Sequence, residues 1–315
     1  MKLSTRSIAL ALLTFGGLAS VVAARPQQAV QPADTVSVRT LVTITSKKGA
    51  EPVNVTPRDL LVQQNKTRLR VTSVTLATGE NGGMQLAIVI DDGATSSLNN
   101  QLPDIAHFVR DQEPGVKVGV FYARNGTVQV RQDFTPDHNL AAKSLRIPLG
   151  QGGASSSVYL SVMDLMKRWP ATQDRRELVL FADGIDRFRR GPLSPDIETT
   201  YEMAQKQGII VQSIFVNVVG GRRGFGSMRL GVGQNNLSQV TVQSGGFLYS
   251  QGFQTPVDMT PFLNQLEDVL RSQYWISYMA HAKNKPSLET IKFSTEMPGV
   301  KIYAPAQVLI PAVNQ

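Results

Sequence analysis

Two aspartates stand where reactive or ligand-binding acids commonly stand, at the end of a continuous apolar run. Leu86–Ile90 leads directly into Asp91-Asp92-Gly93, and the run Glu177–Phe181 leads through Ala182 into Asp183-Gly184, with Asp186 close behind. Short apolar runs bounded by turn residues read as buried strands. In an open parallel sheet, sites gather beyond the carboxyl ends of strands, near the point where strand order reverses. If these two strands are neighbours, their acids face one crevice. Adjacent strands lie ~4.8 Å apart, so carboxylates at matching ends suit the shared ligation of one divalent cation. The structural alternative is that Asp91 and Asp183 cap their own loops by accepting backbone N–H groups. Asp92 reads as a solvated turn residue.

Arginines form the second set. Arg187, Arg189 and Arg190 follow the Asp183 strand, and Arg222 and Arg223 follow the run Ile209–Val216. Guanidinium forks suit carboxylate and phosphate partners. Gly220, Gly221, Gly224 and Gly226 leave the second loop conformationally free. Scattered surface arginine also serves solubility alone, so both readings stand. Other signals are weaker. His107, His138 and His281 are joined by nothing in the sequence, with His138 placed in a turn. Ser155-Ser156-Ser157 reads as a helix-start cap, and the Gly-x-Ser-x-Gly elbow of a nucleophilic serine is absent. The Gly-x-Gly pairs at 224–226 and 231–233 do not open a helix after a first strand, so a dinucleotide cradle is unsupported.

The elements that must position these residues follow from hydrophobic periodicity. Val36 to Thr45 alternates as a strand does, and Leu60–Val62 and Leu69–Leu76 add strand-like runs. After Glu80-Asn81-Gly82-Gly83 the pattern changes to apolar strands alternating with helix-period stretches. Predicted strands are 86–90, 116–122, 127–134, 177–181, 209–216 and 247–249; predicted helices are 98–112, 158–169, 199–207, 237–243 and 261–272. Asn125-Gly126 signals a hairpin between the second and third of these strands. The tail returns to short strands at 274–279, 291–294, 300–303 and 308–310. This order predicts an α/β fold: a doubly wound, mainly parallel sheet flanked by N- and C-terminal β segments. The expected divisions are 36–80 for the first β segment, 84–273 for the α/β domain and 274–315 for the last β segment. Tyr274, Trp275 and Tyr278 read as an aromatic strand packed in a core.

The first residues carry a targeting pattern. Lys2 and Arg6 precede an apolar stretch from Ile8 to Val22, and Val22-Ala23-Ala24 offers small residues for cleavage. The expectation is a signal peptide over 1–24, a lead-in over 25–35, and an exported product, periplasmic or secreted, with no membrane span once the signal is removed. The absence of cysteine excludes disulfides and thiolate metal sites. A net charge of +8, from 32 Lys+Arg and 24 Asp+Glu, favours a protein or acidic surface as partner. No zinc, helix-turn-helix or RNA-binding signature points to nucleic acid.

Three features carry a family resemblance: the apolar strand ending in Asp91, the turn Gly152-Gly153-Ala154-Ser155 before a helix, and the run Leu178-Val179-Leu180-Phe181-Ala182-Asp183-Gly184. From Leu86 to Ser272 the chain resembles a von Willebrand factor type A (VWA) domain. The whole exported chain is similar to a bacterial group of VWA-related proteins, in which a β segment precedes the domain and a segment like Gln273–Tyr278 follows its last helix. The resemblance implies a metal-ion-dependent adhesion site in degenerate form. Its pattern, Asp-x-Ser-x-Ser followed by a distant Thr and Asp, maps Asp91, Thr95 and Asp183 onto ligands of Mg²⁺ or another divalent cation. Gly93 replaces the first Ser, and Ala154 falls near the Thr position, which Ser155 fills if the loop shifts by one. The implied function is a non-enzymatic binding or adhesion module, with Arg187, Arg189, Arg190, Arg222 and Arg223 facing the partner. The alternatives are a Mg²⁺-dependent phosphohydrolase using Asp91 and a purely structural envelope component.

Overall fold

A computed structural model describes residues 35–46, 52–94, 96–150, 157–188, 195–217 and 225–313. The described residues open in β structure: β1 (Thr35–Ser46), β2 (Leu60–Gln64), β3 (Thr67–Arg68) and β4 (Arg70–Leu76). The α/β part then runs β5 (Met84–Asp91), α1 (Leu102–Arg110), β6 (Val116–Arg124), β7 (Thr127–Thr135), α2 (His138–Lys143), α3 (Val158–Arg168), β8 (Arg175–Ala182), α4 (Pro195–Gln207), β9 (Ile209–Phe215), α5 (Phe225–Ser244), β10 (Leu248–Tyr249) and α6 (Thr260–Arg271). It closes with β11 (Gln273–His281), β12 (Ser287–Glu289), β13 (Ile291–Thr295), β14 (Val300–Tyr303) and β15 (Val308–Ile310).

The central sheet has six strands in the order β10-β9-β8-β5-β6-β7. All of its pairings are parallel except β6 with β7. This is the doubly wound order in which chain direction across the sheet reverses beside the first strand, as the VWA resemblance implies. Every residue of β5 is buried. Alternate side chains go to opposite faces: Leu86, Ile88 and Ile90 pack with Ile105, Phe108, Leu263 and Leu266 of α1 and α6, while Ala87 and Val89 pack with Val162, Leu165 and Leu237 of α3 and α5. A strand covered on both faces has no need of polar alternation, which explains its continuous apolar sequence. The hairpin at Asn125-Gly126 has φ of 53° and 72°, the left-handed pair that a tight hairpin turn demands. Helix α1 starts later than the periodicity suggests, after a 3₁₀ turn at Ser96–Gln101, and His138 opens α2 instead of lying in a turn.

The first and last β segments interleave. β11 lies between β1 and β4, antiparallel to both, and β14 pairs with the other side of β1. Val42, Ile44, Tyr274, Ile276 and Tyr278 form the core there. β2 joins β13 and β3 in a separate small sheet, and β12 pairs with β15. The two β systems meet through polar atoms. Gln273, the first residue of β11, donates to buried Glu177 on β8 (2.7 Å) and accepts from Arg175 (2.7 Å), and Gln212 donates to the other Glu177 oxygen (3.2 Å). Arg175 also donates to the carbonyls of Leu270 (2.8 Å) and Gly82 (3.2 Å). Residues Asp34–Gln315 form one compact unit. Among the described residues, no helix is long and apolar enough to cross a membrane.

Candidate binding site

The site grows from the pairing of β5 with β8. Their parallel register sets Ile90 opposite Phe181, so Asp91 and Asp183 leave the sheet at the same rim. Both are buried, Asp91 3% exposed and Asp183 fully enclosed. Each also caps its own turn: Asp91 Oδ1 accepts the Gly93 N–H (2.8 Å), and Asp183 Oδ1 accepts the Ile185 N–H (2.9 Å). The loop-capping role and the shared-crevice role therefore coexist in the same two residues.

Between the acids lies Arg187. Its guanidinium donates to both oxygens of Asp183, one bond measuring 3.1 Å, and to the Ile185 carbonyl (3.2 Å). The same group stands 3.9 Å from Asp91 Oδ2. Only 23% of the Arg187 side chain is exposed. The reading of Arg187 as an outward-facing rim cation is thus corrected: its fork is turned inward, because two buried carboxylates in one crevice need a positive charge more than solvent does. Burial pushes the Asp91 carboxyl up to about 6, helped by the neighbouring Asp183 charge and opposed by Arg187 and the Gly93 N–H. Burial acts against the Arg187 charge, but its interactions with Asp183 and then Asp91 outweigh this and raise its pKa.

Asp92 is a second correction. It is fully buried, not a solvated turn residue. Arg146 grips both of its oxygens (2.7 and 3.0 Å), and the Leu149 N–H adds a third bond at 3.0 Å. Arg146 in turn lies 3.9 Å over the Tyr122 ring. Sequence reasoning missed this pair because 54 residues separate its members. The Asp183–Arg187 contact, by contrast, has an i,i+4 spacing that a search for ion pairs would have found. Ser157, the last serine of its run, caps α3 by accepting the Leu160 N–H (3.3 Å).

The Asp183 loop is clamped from behind. Tyr159 donates to the Gly184 carbonyl at 2.7 Å. Gly184 has φ +70° and abuts Gly233 of α5, and a Cβ on Gly184 would fall 2.5 Å from Leu237 Cγ. Thr95, Ser155, Arg189, Arg190, Arg222 and Arg223 lie outside the described residues.

A hard divalent cation fits this arrangement poorly. Mg²⁺ requires near-octahedral oxygen ligation at about 2.0–2.1 Å. Gly93 offers no side-chain oxygen at its position, both Oδ1 atoms already accept backbone N–H groups, and the Asp183 Oδ2 faces a guanidinium. Among the described residues, no group of three His, Cys, Asp or Glu side chains is gathered for metal binding.

The chain matches no family model and no curated protein. It is similar to several solved structures. One is the conserved hypothetical protein BatB of Bacteroides thetaiotaomicron, at 17% identity over 60% of this chain and 100% of that one, with a TM-score of 0.42. A second is an aerotolerance-related membrane protein of Bacteroides fragilis, at 16% identity over 60% and 98% of the two chains and a TM-score of 0.41. The ArnB paralog VWA2 of Sulfolobus acidocaldarius matches at 11% identity over 89% and 76%, with a TM-score of 0.36.

Proposed function

We propose that this chain is an exported VWA-like binding module that engages a protein partner at the carboxyl end of its central sheet. The observation that carries this reading is a set of exposed apolar side chains on the segments at that end. Ile147 and Leu149 sit beside Asp92, Phe188 follows the Asp183 loop, Met228 lies in the first turn of α5, and Phe253 and Val257 lie between β10 and α6. Their exposures run from 41% for Phe253 to 91% for Val257. Large apolar groups gathered at one end of a water-facing surface favour contact with another protein.

The segment between β10 and α6, which carries Phe253 and Val257, is held in place. Asn217 donates to the Phe253 carbonyl (2.9 Å), Gln101 donates to the Val257 carbonyl (3.1 Å), and Gln234 donates to the Gly252 carbonyl. Pre-ordered loops lose less conformational entropy on docking. The net charge of +8 favours a partner with acidic groups around an apolar centre. Export rests on the leader pattern at 1–24.

A photo-crosslinking amino acid placed on α5 tests the reading. Met228 and Val242 are both exposed on that helix, roughly 21 Å apart at 1.5 Å rise per residue, at its two ends. In native envelope extract, the probe at 228 should give one discrete adduct that the probe at 242 does not. Equal labelling from both positions, or none from either, counts against docking at this end. The enzymatic alternative has its own arm: Mg²⁺-dependent phosphatase turnover that disappears in Asp91→Asn would replace the binding reading.

A further inference from the structure

We propose that Arg187 is the resident cation of this site: its guanidinium takes the place between Asp91 and Asp183 that a divalent ion would hold, so one of the pair's two negative charges is offset from within the chain. The inference stands on geometry alone and does not require that a protein docks there.

Charge accounting leads to it. Three aspartates are buried at this rim, and buried carboxylates persist as charges only when paired. Asp92 is matched by Arg146, and Arg124 also stands 3.8 Å from its Oδ2. Asp91 and Asp183 are left with Arg187, which contacts both. A fork that fills one carboxylate bidentately and stands near a second leaves no room for an ion at ~2.1 Å from both outer oxygens. A divalent ion there would also stand within a few ångströms of a fixed positive charge.

The position of Arg187 is built in, not incidental. Gly184, at φ +70°, turns the chain immediately after Asp183, and Ile185 closes the turn onto the Asp183 carboxylate. That turn brings residue 187 back over the acid it follows, where the Ile185 carbonyl accepts a further hydrogen bond from its guanidinium. Gly93 stands where the first hydroxyl ligand of an adhesion site would be, so the site that holds the guanidinium also lacks that oxygen.

The test restores the missing ligand with and without the arginine. Four chains are compared by calorimetry with Mn²⁺: wild type, Gly93→Ser, Gly93→Ser with Arg187→Gln, and that double variant with Asp183→Asn added. Thermal unfolding of each, with and without the ion, serves as the fold control. The expected result is no saturable Mn²⁺ uptake by wild type or by Gly93→Ser, one-site uptake at least tenfold tighter by the double variant, and its loss on adding Asp183→Asn. Tight Mn²⁺ binding by the wild type overturns the proposal. So does a Gly93→Ser chain that binds as well as the double variant, or a folded double variant that binds no ion. A measurement on the unaltered chain stands beside these. The Arg187 guanidinium protons should exchange slowly with water by NMR, and Asp183→Asn should abolish that protection. Fast exchange in the wild type shows the fork is not seated between the acids.

Discussion

Asp92 and Arg146 meet through two parallel hydrogen bonds of 2.7 and 3.0 Å, with the guanidinium lying 3.9 Å above the ring of Tyr122. Tyr122 closes the unit by donating to the Arg146 carbonyl (2.5 Å) and accepting from the Arg146 N–H (2.8 Å). The carboxylate is fully buried and three-quarters of the arginine side chain is covered. Removing one partner of such a pair costs more than the pair contributes, because it strands a charge. Arg146→Ala should therefore lower the free energy of unfolding by about 3 kcal/mol. Arg146→Lys should recover only part of this, since an ammonium neither forks nor stacks. Urea unfolding curves with unchanged slope decide the matter; a loss under about 1 kcal/mol would mean the pair is solvated.

Asp91 and Asp183 should differ in their effect on stability. Asp183 takes two guanidinium bonds and the Ile185 N–H, whereas Asp91 takes the Gly93 N–H and lies 3.9 Å from Arg187. Asp183→Ala is expected to cost about 3 kcal/mol and Asp91→Ala clearly less, on the rule that stranding a buried charge dominates. Equal losses in denaturant unfolding would show that Arg187 divides itself evenly between the two acids.

Glu177 supplies a pH dependence. Burial raises its carboxyl to about 7, against the hydrogen bonds from Gln273 and Gln212 and the charge of Arg175. Between its ordinary value of 4.5 and about 7 the folded chain holds a proton that the unfolded chain has released. Its contribution to stability therefore falls as pH rises through that window and is level above it. In Glu177→Gln this decline should vanish from a plot of stability against pH, leaving a constant loss. The constant loss arises because Gln212 is oriented by the Phe247 N–H on its oxygen (2.8 Å) and Gln273 by Arg175 on its oxygen (2.7 Å), so the new NH₂ would meet the NH₂ of one or the other. An unchanged slope in the variant would place the titration elsewhere.

Gly184 and Gly233 should tolerate no side chain. A Cβ at Gly184 meets the Gly233 carbonyl and Leu237, and a Cβ at Gly233 meets the Asp183 carbonyl and Ile185. Gly184→Ala adds the strain of φ +70° to that overlap, for a combined loss of about 2–4 kcal/mol. Gly208, also at positive φ (+63°) but with open space around it, should lose only about 1 kcal/mol as alanine. Parallel thermal melts of the two alanine variants check the ranking.

Much of the architecture was legible in the sequence, because burial on both faces makes a parallel strand uniformly apolar and so conspicuous. The runs at 86–90, 177–181 and 209–216 are strands for that reason, and each of the two acids read from them stands at a carboxyl end. The Asn125-Gly126 hairpin was equally plain, since few other dipeptides accept two positive φ values. What the sequence alone determined was therefore local: which segments are strands or helices, and which residues end them. The tertiary structure decided which charges belong together. Asp92 reads as solvated until a loop more than fifty residues away brings Arg146 over it, and Arg187 reads as a rim cation until the Gly184 turn folds it back onto Asp183. Long side chains find partners through space, and linear spacing does not encode the low-dielectric crevice that makes those partners obligatory.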